Sequence, residues 1–274
     1  MTIFKKTVAY ALLIILAAAM VFPFYSMFIM STHLTHDIFS FPPPLLPGGN
    51  LLVNLRNLWD MVDFPRSFLN SVIVSVSFTA LVLLFCSMAG YAFAIYRFPG
   101  RDVLFIVLLI TMMIPWTAGV IPWFIMMSRF GWVDTFWALI IPGSANAFGI
   151  FWMRQYCQNN VPHSLMEAAK LDGCSEWFIF FRVIAPILKP ALAALGIMQF
   201  VGVWNDFMQP LLILRSPRMH TLPLMLRLMQ GDIRGSDVGA MMLASALSVL
   251  PLLIVFLIAS KQFMSGLTAG ALKE

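Results

Sequence analysis

Six long apolar runs dominate this sequence of 274 residues and limit the fold that it can adopt. Charged side chains make up 11% of the chain, and its mean hydropathy of +0.89 is too high for a water-soluble domain. About 20 apolar residues in a helix cross a bilayer. The sequence therefore predicts an all-α membrane protein with six transmembrane helices. The predicted spans are residues 8–30, 67–96, 103–127, 134–153, 191–213 and 238–260.

The basic residues predict which side of the membrane each loop faces. If the N-terminus is cytosolic, six spans return the C-terminus to the same side. That side then carries ten of the 17 lysines and arginines, including every lysine, as the positive-inside rule requires of the cytosol. The net charge of +5 is therefore explained by topology. Nucleic-acid binding is disfavoured, because no soluble segment carries a basic face.

Residues 1–274 are predicted to form a single transmembrane domain. The first apolar run follows two lysines and contains three alanines, as a signal peptide does, but it continues to Met30. That length predicts an uncleaved anchor. Three segments outside the spans are expected to matter: a first periplasmic or extracellular loop, a cytosolic loop and a cytosolic C-terminal tail. They are residues 31–66, 154–190 and 261–274.

The cytosolic loop contains a short polar helix with its own start and stop signals. Ser164 and Glu167 have the spacing of a capping box, and Gly173 stands where a helix ends in the left-handed conformation. A loop that only anchors to lipid would explain the aromatic residues that follow, but not the acidic residues Glu167 and Asp172. We therefore predict a docking helix for a cytosolic partner. Its expected docking face contains Leu165, Ala168, Ala169 and Asp172.

No constellation of residues predicts catalysis or a resident metal. The four histidines are scattered, and the three cysteines do not form a disulfide framework. His33, His36 and Asp37 are close in sequence, but loop histidines are common and the ligand set is incomplete. The sequence lacks the motif G-x-x-x-x-G-K-[ST], so ATP does not bind here through a phosphate loop. We predict neither an enzyme nor a metal or cofactor site in this chain.

Asp206 is the one acid clearly within a predicted span, so it is expected to face protein or water. It lies roughly 24 Å along the fifth span from the cytosolic end, at about 1.5 Å per residue. Trp204, Asn205 and Asp206 together offer an aromatic surface beside hydrogen-bonding groups, which suits sugar rings and hydroxyls. Bonding of Asn205 and Asp206 to a neighbouring helix explains the same residues equally well. Both interpretations stay open at the level of sequence.

The cytosolic loop resembles the coupling loop of permease subunits from ATP-binding cassette (ABC) importers. In that family the loop reads Glu-Ala-Ala, three residues, Gly, nine residues, and then hydrophobic-x-hydrophobic-Pro. This chain has Glu167-Ala168-Ala169, Gly173 and Val183-Ile184-Ala185-Pro186 at that spacing. Ala185 replaces the usual leucine. The spacing, between the fourth and fifth predicted spans, is specific to the family.

Further motifs resemble the carbohydrate branch of the family, and in particular its MalG-like subunits. They are Asn70-Ser71, Tyr91-Ala92-Phe93, Arg97-Phe98-Pro99-Gly100-Arg101, Trp204-Asn205-Asp206 and the ending at 266–273. The resemblance covers nearly the whole chain. It implies the type I ABC importer permease fold in the bacterial cytoplasmic (inner) membrane.

The resemblance also implies partners and contact residues. The implied partners are a MalF-like second permease subunit, two ATPase subunits that bind ATP and magnesium, an extracytoplasmic solute-binding protein and the lipid bilayer. The implied ATPase-docking residues are Glu167, Ala168, Ala169, Asp172, Gly173 and Pro186. The implied ATPase-contacting tail residues are Gly266, Leu267, Thr268 and Gly270.

The cargo implied by the resemblance is a mono- to oligosaccharide. A polyol or a sugar phosphate such as glycerol 3-phosphate uses a similar subunit. The outer-loop arginines keep an anionic sugar open as an alternative; they are Arg215, Arg218, Arg227 and Arg234. An ion-coupled secondary transporter, a different class, would need paired intramembrane charges or inverted repeats, and we find neither in the sequence.

Overall fold

A computed structural model describes the backbone of residues 3–230 and 237–271, and the side chains of 5–162, 164–230 and 237–258. Every regular element in those ranges is helical. The α-helices are α1 (Ile3–Met30), α2 (Thr35–Ile38), α3 (Leu51–Met61), α4 (Phe64–Ile95), α5 (Arg101–Met112), α6 (Trp116–Arg129), α7 (Trp137–Ile140), α8 (Ala147–Asn160), α9 (His163–Leu171), α10 (Glu176–Phe178), α11 (Ala185–Ile187), α12 (Lys189–Trp204), α13 (Met208–Ile213), α14 (Leu222–Met229) and α15 (Val238–Ala271). A π-helical turn spans Ile179–Ile184, and a 3-10 turn spans Pro217–Met219.

Three helices in the described part of the chain are long and apolar enough to cross a membrane unbroken. They are Lys5–Met30 of α1, the whole of α4 and Val238–Ile258 of α15. Two bent pairs meet the same criterion: α5 with α6, bent by 101°, and Glu176–Ile187 with α12, bent by 79°. The predicted class of all-α membrane protein is confirmed, with three to five candidate spans by length and composition.

The fourth predicted span, residues 134–153, is not one helix. Only α7 and the first half of α8 lie within it, and turns that include Pro142 connect the two. The third predicted span is also interrupted, because α5 ends at Met112 and Pro115 is the N-cap residue of α6. Proline lacks a backbone donor, so an apolar run that contains it need not continue as one helix.

The chain divides into two compact units, Met1–Phe68 with Leu224–Pro251, and Leu69–Pro223 with Leu252–Glu274. Asp237 organises the first unit. Its Oδ1 accepts a hydrogen bond from the Ala240 amide at 3.1 Å, and its Oδ2 accepts one from Nδ2 of Asn57 at 2.5 Å. The carboxylate therefore caps the start of α15 and fastens α3 to it. Helix α3 lies within residues 31–66, which the sequence predicts to connect the first two spans.

The core of the second unit joins the membrane helices to the loop of residues 154–190, which the sequence predicts to be cytosolic. Buried apolar side chains come from α4, α8, α9, the π turn and α12, and they form one cluster. Helix α8 also packs on α5, where the Arg154 guanidinium lies 3.9 Å from the centre of the Phe105 ring. The short polar helix α9 is thus attached to the transmembrane core by packing.

Gly90 allows α4 and α8 to approach closely within this core. A Cβ atom at Gly90 would lie 2.6 Å from Cβ of Met153 and 2.7 Å from the backbone nitrogen of Arg154. Both atoms belong to the framework of α8, so neither moves away without a shift of the helix. Glycine is therefore required at this contact.

We expect Gly90→Ala to destabilise the protein by about 1–3 kcal/mol, because the added methyl group overpacks the contact between α4 and α8. The measurement is the thermal unfolding temperature of the detergent-solubilised protein. Gly202→Ala in α12 is the matched control, since a Cβ there meets no atom within 4 Å. The control is expected to be neutral or to stabilise by about 0.5–1 kcal/mol. Equal unfolding temperatures for the two variants would contradict the close contact.

Candidate functional site

Helix α9 carries the Glu-Ala-Ala segment, but it starts two residues earlier than its sequence signals predict. Pro162 is the N-cap residue and makes no side-chain cap hydrogen bond, and the helix begins at His163. The predicted capping box is therefore wrong, because Ser164 lies inside the first turn. The extended backbone of Pro162 (ψ 133°) leads the chain into the helix instead.

The end of α9 agrees with the prediction. Gly173 has φ +74°, in the left-handed region that favours glycine. The Cys174 amide donates to the Ala169 carbonyl at 3.1 Å, and the Gly173 amide donates to the Lys170 carbonyl at 3.0 Å. This pair of hydrogen bonds is a Schellman motif, which satisfies carbonyls that the helix end would otherwise leave unpaired.

The exposed face of α9 differs from the predicted docking face. Ala169 is buried beside Met166 in the core, so Ala168 and Ala169 do not lie on the same surface. Glu167, Ala168 and Asp172 are exposed, and Leu165 is exposed at the edge of the cluster. Leu171 was not predicted, although its side chain is 88% exposed. The sequence does contain a signal for it, namely a large apolar residue two positions before the glycine at which the helix ends.

An ion pair fixes α9 to the segment that follows it. The Lys170 ammonium lies 2.8 Å from Oε1 of Glu176, and the Tyr96 hydroxyl donates to Oε2 of the same carboxylate. Lys170 also lies over the Tyr96 ring, 5.1 Å from its centre. The hydrogen bond with Glu176 raises the pKa of Lys170, so the lysine is charged at neutral pH. Because these groups are largely exposed, their interactions orient α9 but add little to the stability of the protein.

Pro186 lies beyond the π turn, at the start of α11. The chain does not turn sharply at Pro186 itself. The bend of 79° comes between α11 and α12, at Leu188, which is fully buried. A π turn leaves one backbone group per turn without its usual α-helical partner, and such turns are common at functional sites. The aromatic side chains of Trp177 and Phe181 are exposed and stack 6.1 Å apart, as expected for a surface at the lipid interface.

The predicted tail residues belong to helix α15. They are Gly266, Leu267, Thr268 and Gly270, and their side chains fall outside the described ones. Arg234 of the outer loop also lies outside the described residues.

A cavity of about 230 Å³ lies in the second unit, and polar and aromatic side chains contribute to its lining. Asp206 reaches it, whereas the two residues before Asp206 do not line it. Trp204 is buried and stacks on Phe200, with ring centres 5.5 Å apart, and Nδ2 of Asn205 donates to the Val201 carbonyl at 2.9 Å. The structure therefore separates the three predicted substrate-path residues. The main polar and aromatic lining residues are Ser71, Ser75, Phe78, Trp123, Asp206, Gln209 and Thr221.

Asp206 accepts hydrogen bonds from the protein backbone as well as lining the cavity. Its Oδ1 accepts from the Met208 amide at 3.0 Å and from the Gln209 amide at 3.4 Å, so it caps the first turn of α13. Both interpretations of this residue that the sequence left open are thus compatible with its position.

Two buried hydroxyls at the cavity have no hydrogen-bond partner among the residues that the structure describes. They are Oγ of Ser75, in α4, and Oγ1 of Thr221, just before α14. The neighbouring Ser71 differs, because its Oγ accepts from the Leu222 amide at 2.8 Å. A buried hydroxyl without a partner costs free energy, so such groups in a lining point to something that binds there.

Comparisons with known proteins identify the family. Residues 86–267, more than half of the chain, match the family of binding-protein-dependent transport system inner membrane components. The chain belongs to this family. It is therefore a multi-pass component of the inner membrane, and it is a transport subunit by family.

Relatives of the chain include several sugar permeases. It is 38% identical over 206 residues to the arabinooligosaccharides transport system permease protein AraQ of Bacillus subtilis, covering 75% of this chain and 73% of that one. It is 35% identical over 260 residues to the lactose transport system permease protein LacG of Rhizobium radiobacter, covering 95% and 94%. It is 30% identical over 266 residues to the sn-glycerol-3-phosphate transport system permease protein UgpE of Pectobacterium atrosepticum, covering 94% of each.

A solved structure has the same fold. A chain from the crystal structure of a bacterial ABC transporter involved in the import of the acidic polysaccharide alginate matches with a TM-score of 0.84. The sequences are 27% identical, and the match covers 95% of this chain and 96% of that one. The predicted ABC importer permease fold is confirmed.

We expect Gly173→Ala to weaken the end of α9 by about 1–2 kcal/mol, because a Cβ is unfavourable at φ +74°. Trypsin should then cleave after Lys170 at least fivefold faster than in the unchanged protein. Gly173→Asn is the control, since asparagine tolerates the left-handed conformation and is expected to change the cleavage rate less. Equal cleavage of the alanine variant and the unchanged protein would show that the Schellman motif does not hold this terminus.

Proposed function

We propose that this chain forms one half of the translocation pathway of an ATP-driven, binding-protein-dependent sugar importer and docks an ATPase subunit through α9. The observation that carries the docking proposal is the exposed face of α9. Glu167 presents a carboxylate to solvent, and Leu171 presents a large apolar side chain. An apolar side chain that is 88% exposed at the end of a short helix suits a pocket on a partner protein.

Rigid attachment of α9 supports a role in transmitting force. Met166 is 4% exposed, and the Tyr91 hydroxyl of α4 donates to its sulfur at 3.7 Å. The Tyr91 ring also contacts Phe180 of the π turn, with centres 5.5 Å apart. Movement of a docked α9 would therefore displace α4 and the π turn together. This coupling is a rigid-body mechanism, in which closure of the ATPase subunits rocks the membrane helices.

The partners in this proposal are a MalF-like second permease, two ATPase subunits and an extracytoplasmic solute-binding protein. ATP and magnesium bind to the ATPase subunits, because this sequence has no phosphate-binding loop. Hydrolysis thus takes place in a separate chain. Pro186 is proposed to set the geometry of the loop behind the docking face. The tail residues Gly266, Leu267, Thr268 and Gly270 are proposed as a second contact with the ATPase.

The proposed cargo is a mono- to oligosaccharide. The names of two relatives, the arabinooligosaccharide and lactose permeases, support a sugar. The name of a third relative supports the alternative of glycerol 3-phosphate. An ion-coupled secondary transporter receives no support, because the chain belongs to a binding-protein-dependent family.

Glu167→Lys and Leu171→Ala test the docking proposal. Each is expected to lower the affinity of the membrane complex for its ATPase at least tenfold, because each alters a contact that a partner would bury. The measurement is the amount of ATPase that co-purifies with the tagged chain, together with ATP-driven uptake in proteoliposomes. Folding of the chain should not change, since both side chains are exposed.

Asp60→Lys is the matched control for the charge reversal. Asp60 is an exposed acid in α3, on the side predicted to face away from the ATPase, so the control should retain both co-purification and uptake. If Glu167→Lys and Leu171→Ala bind the ATPase as well as the control does, α9 is not the docking element.

A further inference from the structure

The cavity of the second unit offers hydrogen-bonding groups that the protein itself does not use. Ser75 is 1% exposed and Thr221 is 4% exposed, and neither hydroxyl has a hydrogen-bond partner in the described part of the chain. Each hydroxyl can donate one hydrogen bond and accept two. A ligand with both donors and acceptors would satisfy them, and a hydroxylated ligand has both.

The charge of the lining favours a neutral ligand. Asp206 is the only charged side chain among the described residues that line the cavity. A carboxylate accepts hydrogen bonds from sugar hydroxyls and repels a phosphate or a second carboxylate. Arg215, Arg218 and Arg227 are exposed and do not contribute to the lining. Burial lowers the pKa of His220, next to Thr221, so that imidazole adds no positive charge at neutral pH.

The lining of the cavity also contains aromatic rings. The rings of Phe78 and Trp123 contribute to the lining, and Trp123 is partly exposed. Aromatic faces pack against the C–H faces of sugar rings, while hydroxyls bind at the ring edges. The lining thus combines aromatic rings with hydroxyls and a carboxylate, which is the combination that binds a pyranose or furanose ring.

We infer that this cavity binds a neutral sugar directly, through Ser75, Thr221 and Asp206, and that the chain discriminates against sugar phosphates. The inference rests on the proposed function as a sugar importer and narrows its cargo to uncharged sugars. It also assigns substrate contacts to this subunit rather than to its partner permease alone. Of these three side chains, only Asp206 belongs to the segment Trp204-Asn205-Asp206 that the sequence highlights.

The test uses the complete transporter with its partner permease, ATPase subunits and binding protein, reconstituted in proteoliposomes. Uptake of a panel of labelled neutral mono- to oligosaccharides is compared with uptake of labelled sn-glycerol 3-phosphate. The unchanged transporter is expected to accumulate at least one neutral sugar and not the phosphate. Preferential uptake of sn-glycerol 3-phosphate would overturn the inference while leaving an ATP-driven importer in place.

Ser75→Ala and Thr221→Val remove one hydroxyl each with little change of shape. Each is expected to lower uptake of the neutral sugar about fivefold at limiting loaded binding protein, the effect of one lost hydrogen bond. Assembly and thermal stability should be unchanged or improved, because neither hydroxyl bonds to any group of the described residues. A purely structural role would instead lower the thermal stability, and a hydroxyl with no role would leave both uptake and stability unaffected.

Ser87→Ala is the matched control in α4. Ser87 is also buried, but its Oγ donates to the Leu84 carbonyl of its own helix at 3.0 Å, and it does not line the cavity. Uptake by this variant should stay within twofold of the unchanged transporter. If Ser75→Ala and Thr221→Val match Ser87→Ala, the inference is wrong although sugar import stands. If the unchanged complex takes up none of the solutes despite an active ATPase, the proposed function itself fails, and the inference fails with it.

Discussion

The contact of α4 with α8 at Gly90 leaves no room for a side chain, and the position of helix α9 depends on it. Tyr91, the next residue, reaches both Met166 of α9 and Phe180 of the π turn. One turn of α4 therefore contacts α8, α9 and the π turn. Because protein interiors are close-packed, a displacement at α9 is passed to α4 instead of being absorbed by voids. The loop is in this sense an extension of the membrane core.

Helix α9 has one buried side, which attaches it to the core, and one exposed side. The buried side uses Met166 and Ala169, while the solvent side presents Glu167 and Leu171. The ion pair from Lys170 to Glu176 and the left-handed terminus at Gly173 fix the rotation of the helix about its axis. A helix that docks a partner needs this arrangement. The partner can move the membrane helices only if the opposite side of the docking helix packs firmly against them.

The cavity in the second unit differs from the close-packed core in the polar groups that line it. Its lining keeps two hydroxyls unsatisfied at some cost to the protein, and it keeps a carboxylate whose Oδ1 caps α13. Stable cores avoid such groups, whereas binding sites keep them because a ligand completes their hydrogen bonds. Placing Asp206 at the start of a short helix holds the carboxylate in position before any ligand arrives, so less entropy is lost on binding.

The sequence alone determined the membrane class, the family and the glycine terminus of α9. Apolar composition and motif spacing are local properties, and they do not depend on how the helices pack. Only the tertiary structure decided that the fourth apolar run is broken, that Ala169 faces inward while Leu171 faces solvent, and that Asp206 reaches a cavity from which Trp204 and Asn205 are turned away. The rotation of a helix is set by its neighbours. Whether the hydroxyls of Ser75 and Thr221 find hydrogen-bond partners depends on which distant segments pack around them. Periodicity in one sequence carries little of that information, because a residue in a wholly apolar helix has no polar face to mark its direction.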